Sequence, residues 1–368
     1  MFTGRLPHEL TGGWMTPIDG THPMVAEALS SAGYLTAGFI ANTTYCPAEF
    51  GLARGFIHYE DHPQSIAHAL LTTSFGGVVS RNLSLPQTHR IGLKTAEHVN
   101  ADFLRWVDKR DTSRPFFAFL NFYDVHAPYV APEDFRSRFR SPAPRGDIWS
   151  RKLDQWKADE VPELQDAYDA SVAYLDHQLG LLLEDLKNRQ LLRNTIVIIT
   201  ADHGEQFGEH GLLEHANSLY LPLLHVPLVV VFPPKVPAGA RIETFVSLRD
   251  LASTILALTG QEKAQTFPGT SLVRYLSGAD SVIAGAPSPF LAEVDPAYDA
   301  YPDSYPARKG PMKSVFFGTR HYIRNDGDKR EELYDLSSDF REQRDLSATE
   351  PIQMREFRAM LEKAIGGR

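Results

Sequence analysis

Three short apolar runs constrain the fold of this chain more than any other feature. They are Pro115 to Phe122 (PFFAFLNF), Thr195 to Ala201 (TIVIITA) and Pro227 to Phe232 (PLVVVF). Each is apolar at alternate and at intervening positions, the pattern of a strand buried on both faces of its sheet. The segments between them carry helical periodicity. Val161 to Gln190 repeats apolar residues at Leu164, Tyr168, Val172, Leu175, Leu179, Leu182, Leu183 and Leu186. Gly92 to Lys109 sets Val99, Phe103, Trp106 and Val107 on one face. A further strand is expected over Tyr34 to Asn42, after the amphipathic segment Met24 to Ser31. A helix is expected over Leu248 to Gly260, with the glycine as its stop. Strands alternating with helices predict an α/β fold with a mostly parallel central sheet flanked by helices.

The pattern changes downstream. Phe267 to Pro311 is rich in Gly, Pro, Ser and Asp and reads as long loops. Lys313 to Tyr334 alternates like a small antiparallel sheet, with SVFFGTRHYIR as one run and a turn at Asn325 to Asp328. Pro351 to Ile365 reads as a terminal helix, and Arg136 to Trp156 as an exposed insertion. The expected division is therefore residues 1–265 as the α/β domain and 266–368 as C-terminal loops, small antiparallel sheet and terminal helix.

Composition excludes several classes of function. The net charge is −9 and no basic block occurs, so a nucleic-acid partner is not expected. The one cysteine, Cys46, rules out a disulfide within the chain and a Cys-based zinc cluster. No apolar run reaches the roughly 18 residues of a membrane span. Met1 to Arg5 lacks the apolar region of a signal peptide.

The chemistry concentrates where strands end. TIVIITA runs into Asp202-His203-Gly204-Glu205. In open α/β sheets ligands gather at the carboxyl ends of strands. Asp and His both ligate divalent metals, and Gly allows a tight turn beside an ion. His210 and His215 follow, and His225 opens PLVVVF, where it reads as structural. The spacing does not match the HExxH of zincins. PFFAFLNF ends in a second histidine loop, Tyr123-Asp124-Val125-His126-Ala127-Pro128-Tyr129.

In this order the parts resemble the sulfatase branch of the alkaline phosphatase superfamily. FFAFLNFYDVHAPY is similar to its strand and H-x-P-H/Y loop, and ADHGEQFGEHGLLEH to its metal-binding strand end. SLYLPLLHVPLVVVFP, LRDLASTILALTG, PGTSL and EELYDLSSDFREQRDLS resemble its later motifs, so nearly the whole chain is covered. The resemblance implies an alkaline-phosphatase-like fold and metal-assisted hydrolysis of a sulfate ester, on a sulfated small molecule or glycan. It implies Asp202 and His203 as ligands of one divalent metal ion, Ca²⁺ or Mn²⁺ foremost with Zn²⁺ also compatible. It implies His126 as a contact to the transferred group and His215 as a contact to the ester oxygens that assists the leaving group.

The chain also departs from the pattern. Met1-Phe2-Thr3-Gly4-Arg5-Leu6-Pro7-His8 is similar to the tail of the family's nucleophile motif, so the nucleophile, a formylglycine in sulfatases, is expected upstream of Met1 and not in this chain. The family's first strand, with its acidic ligands, is expected there too, and its loss predicts an exposed sheet edge. Little activity of the isolated chain follows. The family's G-K-x-H after Gly33-Tyr34-Leu35-Thr36 is missing, with Asn42 the candidate replacement for its lysine. Tyr45-Cys46-Pro47-Ala48 does not match the nucleophile motif, and Cys46 reads as a structural thiol. An Asp-His metal pair resembles members related to phosphonate and phosphodiester hydrolases, which is one alternative. A catalytically dead anion-binding remnant is the other.

Overall fold

The structure is a computed structural model, and it describes residues 1–13, 16–61, 94–139, 156–157, 159–263, 267–276, 286–296 and 301–366. The chain is an α/β protein. Helix α1 (Val25–Ser31) leads into β1 (Leu35–Ile40), which pairs in parallel with β2 (His58–Glu60) on one side. Helix α2 (Ala96–Lys109) then leads to β3 (Phe116–Asn121), parallel to β1 on the other side in the register Leu35↔Phe116 to Ile40↔Asn121. The long helix α3 (Val161–Asn188) precedes β4 (Val197–Thr200). After β4 come a small ribbon, β5 (Gln206–Phe207) with β6 (Leu213–Glu214), the short helix α4 (Leu221–Leu224), and β7 (Leu228–Val231). β7 is antiparallel to β4.

Packing follows the periodicities. Phe39 and Ala37 on β1 meet Val99, Phe103 and Val107 of α2 and Leu182 and Leu186 of α3 in one cluster. Phe39, Phe103, Trp106 and Phe116 stack edge and face with centroids 5.7 to 6.4 Å apart. Such pairs add about 0.5–1.5 kcal/mol each beyond their area. Helix α5 (Leu251–Thr259) lays Ala252 and Leu256 on Val25 and Leu29 of α1. It ends at Gly260, whose φ of 71° is the left-handed stop expected from the sequence.

Three strands depart from expectation, since β7, in the PLVVVF run, leaves Val229 and Val231 exposed. β3 and β4 have the composition of doubly buried strands, yet every residue in each is half-buried. The central strand β1, by contrast, is buried from Thr36 onward. Among the described residues β3 pairs only with β1, and β4 only with β7. Each strand therefore has one edge with no partner strand among the described residues. A cleft of about 3870 Å³ runs between them, with Phe117, Phe119, Leu179, Ile198 and Val230 in its walls.

The C-terminal region holds a second correction. Phe267 to Pro311 is not all loop, because β8 (Ala286–Val294) joins a four-stranded antiparallel sheet ordered β11-β10-β9-β8. Pro287 and Pro289 hid it from the sequence. As an edge strand it tolerates prolines, since it needs ladder donors on one side only. SVFFGTRHYIR is likewise two strands, β9 (Met312–Gly318) and β10 (Arg320–Asn325), reversed at Gly318 and Thr319. The turn expected at Asn325 to Asp328 does join β10 to β11 (Glu331–Asp335), and helix α6 (Pro351–Gly366) packs on the sheet through Met354, Phe357 and Leu361. The insertion at Arg136 to Trp156 lies largely outside the described residues. No described helix is long and apolar enough to cross a membrane.

Candidate active site

β3 and β4 both direct their carboxyl ends to one place, because His126 beyond β3 and His203 beyond β4 each touch His215. The His203 and His215 rings stack with centroids 4.2 Å apart at 22°. His126 meets His215 edge to face at 5.0 Å and is backed on its other side by Tyr123 at 4.3 Å.

Local backbone geometry fixes each group. Gly204 donates its N–H to Leu223 O at 2.8 Å, so the turn after β4 lies flat against α4. A Cβ at Gly204 would stand 2.0 Å from Pro222 O, so no other residue fits. His203 donates Nδ1–H to its neighbour Gly204 O at 2.9 Å, which leaves Nε2 with a free lone pair. That nitrogen lies 3.9 Å from Asp202 Oδ2, and the Asp202 side chain is 80% exposed. Both donor atoms thus face the same solvent-filled space. They suit two positions in the shell of a divalent ion, with the second ring nitrogen anchored as metal-ligating histidines require. Among the described residues no cluster of three metal-ligating side chains forms, so these two account for part of a shell.

The buried member of the group is Glu205. Its carboxylate accepts His215 Nδ1–H at 3.0 Å on one oxygen and the Tyr129 hydroxyl at 2.8 Å on the other. Burial by itself would lower the pKa of His215. The Glu205 hydrogen bond and charge, with Glu214 and Asp202 behind them, outweigh burial and hold it above the usual imidazole range. His126 is shifted the other way. Burial pushes its pKa down, His215 and His203 add to that, and the Ala127 carbonyl and Glu205 only partly oppose it. The two neighbouring imidazoles are thereby shifted in opposite directions.

The sequence-derived candidates Asp202, His203, His126 and His215 are therefore brought together. Asn42 and Cys46 line the same cleft. The Asn42 side-chain oxygen caps Tyr45 N–H at 3.0 Å, which leaves its amide N–H groups as donors. The Cys46 thiol is pushed up to about 11, by burial first and by the Asp202 charge second, so it is not a thiolate near neutral pH. His210 stacks on Tyr220 at 3.7 Å and His225 meets Phe340 edge to face. Both stand apart from the three clustered imidazoles.

The family model for Sulfatase matches residues 1–261. The chain belongs to the sulfatase family. Arylsulfatase K of Xenopus laevis is 26% identical over 408 residues, covering 97% of this sulfatase chain and 70% of the relative. The uncharacterized sulfatase YidJ of Escherichia coli is 25% identical over 189 residues, covering 47% and 37%. The arylsulfatase of Clostridium perfringens is 27% identical over 190 residues, covering 46% and 39%. The matches thus span well under half of two of these relatives. Among solved structures, BT4656 in complex with its substrate D-glucosamine-2-N,6-O-disulfate superposes with a TM-score of 0.74, at 18% identity over 99% of this chain and 86% of that one. The phosphonate monoester hydrolase of Agrobacterium radiobacter gives 0.71, at 18% identity over 98% and 83%. These likenesses show the alkaline-phosphatase-like sulfatase fold.

Sequence reasoning gave no role to Glu205, Tyr129 or Tyr123. Glu205 stands inside the Asp202–Glu205 motif, so its position carried a signal. Its partners did not, since Tyr129 lies 76 residues away along the chain.

Proposed function

We propose that this sulfatase chain carries the metal-ligand and leaving-group side of a site for sulfate-ester hydrolysis, on a sulfated small molecule or glycan. The observation that carries the reading is the interlocked set of His126, His203 and His215, with His215 held by the buried Glu205 carboxylate. Asp202 and His203 would hold the divalent ion, which when bound supplies positive charge to the ester oxygens. His126 presents its imidazole to the anion, with its pKa lowered by burial first and by His215 and His203 after it. His215, whose pKa is raised by the Glu205 hydrogen bond and charge, donates a proton to the departing alkoxide. Tyr129 and Glu205 fix the tilt of that imidazole, because Glu205 is bonded through both oxygens.

The Cys46 thiol that lines the cleft stays protonated near neutral pH, so it is not an attacking group there. We therefore propose that the 368 residues alone bind substrate anion but turn it over poorly. A second reading, hydrolysis of phosphonate monoesters or phosphodiesters, is favoured by the Asp202–His203 pair and by the likeness in fold to a phosphonate monoester hydrolase.

Calorimetric titration with inorganic sulfate and with phenylphosphonate, each with Mn²⁺ present, tests both readings. Tighter sulfate binding that weakens on His126→Ala supports the sulfatase reading. Preference for phenylphosphonate supports the second. Binding of neither anion leaves a remnant without an anion site and defeats both. Rapid turnover of 4-nitrophenyl sulfate by the chain alone, lost on His215→Ala, would refute the expectation of poor activity.

A further inference from the structure

A second cavity, of about 630 Å³, opens beside α4. Its walls include Glu209, His210, His225, Phe340, Arg341 and Gln343, and the sequence motifs leave this set without a task. His225 and Phe340 line the main cleft as well, so the two spaces share a wall.

The construction of this wall is unusual. Glu342, between Arg341 and Gln343, is 1% exposed. Its carboxylate accepts Leu221 N–H at 2.6 Å and pairs with the buried His321. With the central residue locked inward, Arg341 and Gln343 are left exposed on the surface of the turn. Glu342 sits at φ 56° and His210, across the cavity, at φ 54°. Non-glycine residues in the left-handed region persist where surrounding contacts over-determine them, and they gather at ligand sites. Here the contacts are the Glu342 bonds and the flat stack of His210 on Tyr220, at 3.7 Å and 4°.

The side chains on offer have a definite chemistry. Phe340 is 50% exposed, and His225 meets it at right angles. A bare aromatic face beside Leu221 and Pro222, rimmed by polar side chains, suits the apolar face of a sugar ring. Arg341 has no ion-pair partner among the described residues, and its guanidinium fork matches a carboxylate or sulfate. Gln343 and the His210 and His225 side chains add further hydrogen-bonding groups. The opposing charge is Glu209, whose carboxylate is engaged by Phe207 N–H at 2.7 Å.

We propose that this cavity is a carbohydrate subsite for an acidic sugar, seated on Phe340 with its anionic group on Arg341. It takes a ring of the same oligosaccharide whose ester lies at the reaction site, and in that respect it rests on the proposed function.

The test is binding of a fluorescently labelled heparin-derived tetrasaccharide to the full chain, read by anisotropy. Phe340→Ala and Arg341→Gln are exposed substitutions, and unchanged melting temperatures verify their folding. Each raises the Kd about tenfold or more, as loss of a charged hydrogen bond does, and neither alters binding of inorganic sulfate at the reaction site. Arg355→Gln, on the exposed side of α6, leaves the Kd unchanged. A tetrasaccharide stripped of O-sulfates but keeping its carboxylates identifies the anion: dependence on Arg341 that persists assigns the carboxylate, and dependence that disappears assigns the sulfate. No binding to the wild type overturns the proposal. So does an Arg341→Gln Kd equal to wild type, or an equal loss in Arg355→Gln, which marks diffuse electrostatics. Failure of the reaction-site reading gives a different pattern, in which Arg341 dependence stands while Asp202→Asn with His203→Ala leaves Mn²⁺ binding unchanged.

Discussion

Replacing Gly204 by alanine tests the placement of the site most directly. The added Cβ would lie 2.0 Å from Pro222 O and 3.1 Å from Pro222 C. Both are backbone atoms, so no rotamer change relieves the contact. The turn carrying Asp202 and His203 must move off α4, and the Gly204 N–H to Leu223 O bond of 2.8 Å is stretched or lost. Overpacking of this kind costs about 1–3 kcal/mol. A lost hydrogen bond adds about 1 kcal/mol. A destabilisation of about 2–4 kcal/mol is therefore expected, together with weaker Mn²⁺ binding because the ligand pair is displaced. Gly180→Ala is the matched control. Gly180 lies within α3 and a Cβ there meets nothing within 4 Å. It should stabilise the chain by about 0.5–1 kcal/mol, since glycine is the costlier residue inside a helix. Urea midpoints and Mn²⁺ calorimetry on both variants provide the assay. A Gly204→Ala protein with wild-type midpoint and wild-type Mn²⁺ affinity would refute the close packing of the turn on α4.

Other expectations follow from the same geometry. Asp202→Asn combined with His203→Ala should abolish the weak divalent binding expected of the intact chain in calorimetry, and unchanged binding would remove both residues from the site. The folded pKa of His215 is raised above 6.5, so its pairing with Glu205 stabilises the fold fully below that value and is lost as pH rises through the folded pKa. Glu205→Gln should therefore flatten the fall in urea midpoint as pH rises above about 6.5, and an undiminished fall would assign it to another group. The open edges of β3 and β4 should make the isolated chain self-associate and bind an apolar dye in the cleft. A monodisperse monomer in sedimentation, silent towards the dye, would contradict that.

Much of this protein could be read from its sequence. Short continuous apolar runs located β1, β3, β4 and β7, and period-3.6 patterns located helices α2, α3 and α5, because those patterns record what is removed from water. The motif Asp202–Glu205 and the loop at His126 marked the site for the same local reason: each follows directly on a strand. Side-chain contacts between distant segments left no such trace. The carboxylate of Glu205 bridges His215 and Tyr129, and that bridge is decided by how β3 and β4 converge. The strand β8 was hidden because its prolines argue against a strand unless its position at a sheet edge is known. The half-burial of β3 and β4 among the described residues contradicts their own composition, since composition states what a strand would bury and tertiary structure supplies what covers it. Sequence determined the elements and the chemical groups at their ends. Tertiary structure decided which of those groups share a charge, because electrostatic coupling depends on distance in space and not along the chain.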